Sequence, residues 1–423
     1  MLLKHKLLTF TCCVAVPLLI PGALSASPAA GSGSDAVEVV PQPRIRAEFG
    51  KVIQPKRFKA PAGATSLMRA AMRGDIAAIE RELGEGADIN AQDPRGRTAL
   101  VYAVSNGQQE AVEKLLAGGA RIDLGDESGA PPLMQAIPPG HTDILKFLIG
   151  KGANINVRLP KSNITPLILA AWYGHQDMVK ILLDQGASID ALTSGRLSAL
   201  TTAIEQRHPQ VAQLLLERGA SIEVVSRTGM SVLDFAVAAN DGAMVRSLLE
   251  RGVDVQQQGR GGMTPLMWAS VRNARASLKA LLEAGADPQA VTAEGSTPLM
   301  LAAMNNSLAA AHLLLEKGVD VDARERRLQA TALIFAVTGK HHDMVELLLR
   351  QGADPNMADQ DGRTPLMLAA GRNQLPIAKL LVEAGAKLDA KDKQGKTARE
   401  WLKDDKNQML IELLEGRLKA AAS

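Results

Sequence analysis

The sequence predicts an all-α solenoid of helix-turn-helix units joined by extended finger loops, about ten repeats plus a C-terminal cap. Three observations carry that prediction. Glycine followed by alanine or valine returns at Gly86, Gly119, Gly152, Gly186, Gly219, Gly252, Gly285, Gly318, Gly352 and Gly385, in steps of 33 or 34 residues. A fixed period of this size marks supersecondary units that bury their apolar faces only against their neighbours. A second series stands seven residues after each inner-helix leucine: Gly74, Gly107, Gly140, Gly174, Arg207, Asn240, Asn273, Asn306, Lys340 and Asn373. Gly and Asn tolerate the left-handed backbone that closes a helix, so eight of these ten positions read as helix ends. Third, hydrophobic residues make up 46% of the 423 but aromatics only 3%, which suits thin layers packed from Leu, Ala, Val and Met. A solenoid grows by adding repeats, so this length needs no division into globular domains.

Residues 1–26 read as a secretory signal peptide. Lys4, His5 and Lys6 precede an apolar run from Leu7 to Ile20, which Pro21 and Gly22 break. Small residues at Ala23-Leu24-Ser25-Ala26 then offer a cleavage site, after Ala26 first and Ser25 second. The run is too short for a stable membrane span, and residues Thr9-Phe10-Thr11 do not suit lipidation of Cys12. Both cysteines, Cys12 and Cys13, lie in this segment, so the processed chain has no disulfide, thiol nucleophile or Cys-ligated zinc. Export to a Gram-negative periplasm is expected first, full secretion second. Residues 27–63, with Pro41, Pro43, Pro55 and Pro61, lack amphipathic period and read as a tether.

The solenoid occupies residues 64–423. Repeat four shows its plan: Thr165 caps a helix, Pro166 takes its first position, and Leu167, Ala170 and Ala171 share one face. Gly174 closes that inner helix. An outer helix then turns Val179, Leu182 and Leu183 to the core, and Gly186 closes it. Polar, turn-rich strings such as Ala91–Arg97 form the fingers between repeats. The last unit, within 390–423, has Arg399 where the leucine belongs and carries Lys396, Glu400, Lys403, Asp404, Asp405 and Lys406, as a cap with no further neighbour should.

With Thr-Pro-Leu at 165–167, 264–266, 297–299 and 364–366, the pattern resembles ankyrin repeats over about residues 64–423. The resemblance implies a curved solenoid whose concave side, made of finger tips and inner helices, binds other proteins. The chain departs from the family in one slot. The histidine that follows Thr-Pro-Leu there is replaced by Met68, Val101, Met134, Ile168, Thr201, Asp234, Met267, Met300, Ile334 and Met367. Methionine fills gaps in a core; exposed, such a stripe would absorb oxidant.

Candidate binding residues are those the repeat pattern leaves unexplained. Positions five and six after the leucine are expected on the concave surface, and in repeat four these are Trp172 and Tyr173. Such aromatics dominate interface hot spots. The other large aromatics, Tyr102, Phe235, Trp268, Phe335 and Trp401, stand two after the leucine slot, where core is expected. Basic residues at expected concave positions are Arg73, Arg95, Arg97, Lys161, Arg227, Arg260, Arg272, Arg327, Arg363, Arg372, Lys393 and Lys396, against acidic Glu127, Glu205, Glu294 and Asp361. That excess would steer an acidic protein partner. Two fingers, Val157–Asn163 and Ala323–Gln329, are one residue longer, and their basic, leucine-bearing tips have the form of contact loops.

His141, His175, His208 and His341 recur just after the first helix closes, about 10 Å apart in stacked layers, too far to share a metal ion. They read as helix-end hydrogen-bonding residues. No catalytic constellation, phosphate-cradling loop or cofactor motif is present. The expectation is a monomeric, non-catalytic protein-binding scaffold with no cofactor, no nucleic-acid partner and no integral membrane span after signal removal. An anion-binding module for an envelope polymer or lipid headgroups is the alternative.

Overall fold

The computed structural model describes residues 62–402 and 407–416. The expected signal peptide, the tether up to residue 61 and parts of the expected cap lie outside the described residues. Ten helix pairs follow one another, from Ser66–Arg73 with Ile76–Gly84 to Pro365–Gly371 with Leu375–Glu383. A 3-10 turn, Arg399–Trp401, and a single helix, Gln408–Leu414, complete the last described unit. Among the described residues there is no strand, only an isolated antiparallel bridge between Val225 and Ser231. No described helix is long and apolar enough to cross a membrane.

Repeat four folds as its sequence dictates. The Thr165 hydroxyl accepts the Ile168 N–H at 3.3 Å, and Pro166 starts the inner helix Pro166–Tyr173. Leu167, Ala170 and Ala171 are buried. In the outer helix Gln176–Asp184 the buried face is Met178, Val179 and Leu182, while Leu183 stays half-buried. The core face is thus turned slightly from the expected one, because a helical stripe at 3.6-residue period takes in the residue before Val179.

All ten first closures have φ between 52° and 78°, including Arg207 and Lys340, and all ten second closures are glycines with φ between 70° and 91°. The split between Gly and Asn has a packing cause. A Cβ on Gly107 or Gly174 would lie under 3 Å from the ring of His141 or His208 in the next repeat. At two of the asparagine closures the side chain caps the next outer helix. Asn240 accepts from the Ala276 and Ser277 N–H groups, and Asn273 from Ala310, ahead of helices with no side-chain cap of their own. Arg207 and Lys340 hold the strained conformation without either benefit. Arg207→Gly and Lys340→Gly should each raise stability by up to about 1 kcal/mol in urea unfolding, and a loss on either would contradict this account of the closures.

The methionines of the histidine slot are buried, so the oxidant-absorbing reading fails for want of access. Their sulfurs have a structural task. Met68, Met267, Met300 and Met367 each accept the backbone N–H of the capping threonine three residues earlier at 3.4 Å. Thr201 and Asp234 do the same with side-chain oxygens, at 2.9 Å each. This is a capping box completed by thioether, hydroxyl or carboxylate. Met134 has nothing to accept, since its repeat is capped by Pro131, which has no N–H.

Most fingers close around one polar side chain. Asp93 Oδ1 accepts the N–H groups of Arg95 and Arg97 at 2.8 and 2.9 Å, and Asp126, Asp359 and Asp392 repeat the arrangement. The second oxygen takes a donor from the slot two after the leucine: Tyr102 on Asp93 at 2.6 Å, Gln135 on Asp126 at 3.0 Å, Trp401 on Asp392 at 2.9 Å. Burial pushes the Tyr102 hydroxyl up to about 12, helped by Asp93. Burial also works against the charged form of Asp93, yet the bonds from Tyr102, Arg97 and Arg95 outweigh it and hold its carboxyl below the usual range. The aromatic slot therefore lies at the edge of the core beneath the finger. Tyr102 and Phe235 are fully buried as expected, but Trp268, Phe335 and Trp401 are only half-buried.

Neighbouring fingers are stitched by backbone bonds, such as Glu127 N–H to Arg95 at 2.9 Å and Arg227 N–H to Gly195 at 3.0 Å. Pro160 occupies the donor position of that series and has no N–H to give. The longer fingers correct an expectation. Leu159 is 2% exposed and plugs the base of its finger, and Leu328 packs against the core, so neither leucine is a contact tip. In the second long finger Glu325 takes the slot of Asp93, Asp126, Asp359 and Asp392. It is buried and accepts the N–H groups of Arg327, at 2.8 Å, and Leu328, its extra methylene spanning the extra residue.

Candidate interaction face

Side chains five and six places after the inner-helix leucine emerge at the C-terminal ends of the inner helices. In repeat four these are Trp172 and Tyr173, both partly buried and packed against the core. The Tyr173 ring stacks on His175 with centroids 5.9 Å apart and planes 13° apart. The Trp172 carbonyl accepts the His208 Nε2 proton at 3.0 Å. His341 makes the equivalent bond to the Met304 carbonyl at 3.1 Å. These two histidines tie the start of one outer helix to the inner-helix end of the preceding repeat, as read from their positions. Among the described residues no group of His, Cys, Asp or Glu is arranged to hold a metal ion.

The expected basic residues divide into three sets. Arg73, Arg95, Lys161, Arg227, Arg272, Arg327, Lys393 and Lys396 are exposed. The Arg260 side chain lies outside the described residues. Arg97, Arg372 and Arg363 are engaged within the fold. Arg97 is half-buried and acts on Asp93 and Tyr102. The half-buried Arg372 guanidinium donates to the Thr338 carbonyl of the preceding repeat. Arg363 is a correction to the candidate list: its side chain is 5% exposed, with Nε 2.7 Å from Asp359 and its terminal nitrogen 2.7 Å from Asp361. In its repeat the slot that supplies Tyr102, Gln135 or Trp401 elsewhere is Leu368, which cannot donate, so arginine from within the finger serves the aspartate.

One acid on the same face has an unusual setting. Glu205 ends the inner helix Ala199–Glu205 of repeat five, 33 residues after Trp172 and thus in the matching slot. Its Oε2 is enclosed and has no hydrogen-bond partner. Burial pushes its carboxyl up to about 7. A carboxyl raised in this way contributes stability below its unfolded value, near 4.5, and loses that contribution as pH rises through about 7. Glu205→Gln should remove this loss, up to about 2 kcal/mol after allowance for solvent, so that the stabilities of the two forms diverge between about pH 4.5 and about pH 7. Parallel curves across that range would show that the carboxyl is solvated. Charge arithmetic on the sequence counts Glu205 as one acid among four and does not show its enclosure.

The family of ankyrin repeats (three copies) matches residues 67–159, 158–226, 233–325 and 325–392, well over half of the chain. The chain belongs to the ankyrin-repeat family. Repeats of this family generally mediate protein–protein interaction and are typically not catalytic. The chain is 42% identical over 85 residues to the potassium channel SKOR of Arabidopsis thaliana, covering 20% of this chain and 10% of the channel. It is 47% identical over 70 residues to ankyrin repeat and SOCS box protein 6 of Mus musculus, 16% of this chain and 17% of that protein. The ankyrin-repeat chain thus spans about a tenth of the length of the plant channels it matches. Among solved structures it is similar to the ankyrin repeat domain of Bcl-3, at 29% identity and a TM-score of 0.46, covering 51% of this chain and 97% of that one.

Proposed function

We propose that this ankyrin-repeat protein is a non-catalytic scaffold that holds a protein partner on its inner-helix and finger face, the side expected to be concave. One observation carries the reading. Trp172 and Tyr173 fill both face slots of one repeat, whereas the same slots elsewhere hold small, flexible or polar residues such as Ser105 and Asn106, Ala238 and Ala239, or Met304 and Asn305. Aromatics contribute most to interface affinity because they cover much area with little rotamer freedom to lose. The exposed Arg95, Lys161, Arg227, Arg272 and Arg327 supply steering charge toward a partner with an acidic surface. In this reading residues 1–26 direct export, to a periplasm first and to full secretion second, and the scaffold works as a monomer.

Photo-crosslinking tests the face. A benzophenone amino acid in place of Tyr173 should capture a protein from the exported fraction, and the same group in place of Lys180, exposed on the outer helix, should not. Capture only from position 180 sinks the proposal. Retention by anionic polymer that salt abolishes, with no protein captured from either position, would instead favour an anion-binding module.

A further inference from the structure

The interaction face contains a carboxylate that no described residue neutralises. Down the column of slots five after the leucine run Met72, Ser105, Pro138, Trp172, Glu205, Ala238, Val271, Met304, Thr338 and Gly371, and Glu205 is the only ionisable member. It follows Trp172 directly in the stack, since the inner helices Pro166–Tyr173 and Ala199–Glu205 pack against each other. Helices in such contact lie about 8–10 Å apart, the span across which a long side chain can touch both.

Three features make this spot unfavourable for an anion and favourable for a cation. Glu205 Oε2 is enclosed without a hydrogen-bond donor, and no cation of the described residues lies within ion-pair distance of it. The residue sits at a helix C-terminus, where the backbone dipole repels negative charge and attracts positive charge. In the preceding repeat, on the inner helix packed against its own, the matching slot and the next hold Trp172 and Tyr173, aromatic residues whose ring faces attract cations. The titratable or charged side chains on the elements packed around it are Tyr173 and His175 from repeat four, Arg207, His208 and Glu217 from its own repeat, and Asp234 and Asp241 at the starts of the inner and outer helices of the next. Arg207 is exposed and makes no ion pair with Glu205.

We infer that Trp172, Tyr173 and Glu205 together form a receptor for a lysine or arginine side chain of the partner. The inference rests on the proposal that this face binds a protein, and it specifies what the anchor takes in. The cation would pair with the Glu205 carboxylate while its alkyl stem covers the aromatic pair. The partner segment is then acidic where it meets the exposed fingers and carries one basic residue at the anchor. The elevated carboxyl also makes capture pH-dependent, since the ionised form is the one that pairs.

The test uses the full chain with 15N-labelled tryptophan, the Trp172 indole being assigned by Trp172→Phe. Three capped tripeptides, with lysine, norleucine or glutamate between glycines, are titrated at about pH 8.5 and about pH 5.5, where lysine keeps its charge and Glu205 changes its own. The lysine peptide should shift the Trp172 indole saturably at the higher pH, with roughly tenfold weaker binding at the lower pH and in Glu205→Gln. Glu205→Gln removes an unpartnered charge and is expected to fold. Equal shifts with norleucine, or lysine binding unchanged in Glu205→Gln, would overturn the cation receptor and leave the aromatic anchor standing. No shift with any peptide, together with loss of crosslinking from position 173, would overturn both.

Discussion

Arg363→Met is expected to destabilise the protein by about 3 kcal/mol, the largest effect of any change at a residue that the sequence placed on the binding face. The guanidinium lies between Asp359 and Asp361, and the Arg363 and Asp359 side chains are both 5% exposed. Removing one partner of a buried pair leaves the other charge uncompensated, which costs more than the pair itself contributes. Asp359 keeps the backbone N–H groups of Asp361 and Arg363 at 2.9 Å each, so the cost falls at the lower end of the usual range. The comparison between fingers supplies a second test. Leu368 occupies the slot from which Gln135 donates to Asp126. Leu368→Gln added to Arg363→Met should therefore recover a good part of the loss. In a solenoid each repeat leans on its neighbours, so amide exchange should rise first in residues 359–371 and their flanking repeats. A change under about 1 kcal/mol for Arg363→Met would mean that the guanidinium is solvated and again available to a partner.

Trp172→Ala combined with Tyr173→Ala should weaken partner binding by at least roughly thirtyfold, about 2 kcal/mol or more. From sequence these rings read as surface, and their truncation as nearly neutral for folding. The structure changes that expectation, because both pack against the core as well as facing outward. Truncation of half-buried rings should cost about 1–2 kcal/mol of stability, part of the 3–5 kcal/mol of a fully buried aromatic. A loss confined to stability, with affinity unchanged once the folded fraction is equalised, would make the pair packing alone. Trp172→Phe with Tyr173→Phe is the control that keeps most of the packing and the ring faces while removing the indole and hydroxyl.

Much of the fold was legible because its strongest constraints act on the backbone. A residue forced to positive φ at every repeat leaves a Gly/Asn record at a fixed interval, and the structure confirms all twenty positions. It also explains what periodicity could not: glycine stands where Gly107 and Gly174 meet histidine rings, and Asn240 and Asn273 cap the next outer helix. The side-chain bookkeeping was less legible. Whether a finger arginine faces solvent depends on a residue five positions later, as Leu368 shows for Arg363. Whether a methionine makes a hydrogen bond depends on the N–H of its capping residue, as the contrast of Met300 with Met134 shows. Glu205 was visible as an acid, but its enclosure was not. These features come from pairs of residues in different structural layers, and single-slot reading passes over them.

The measurement closest to the central claim is the affinity of the partner recovered by crosslinking from position 173, compared between the native chain and Trp172→Ala/Tyr173→Ala at equal folded concentration. A loss of at least about thirtyfold is expected in the double variant, with little change for Lys180→Ala on the outer helix. An affinity unchanged in the aromatic variant, or a comparable loss from Lys180→Ala, would contradict that claim.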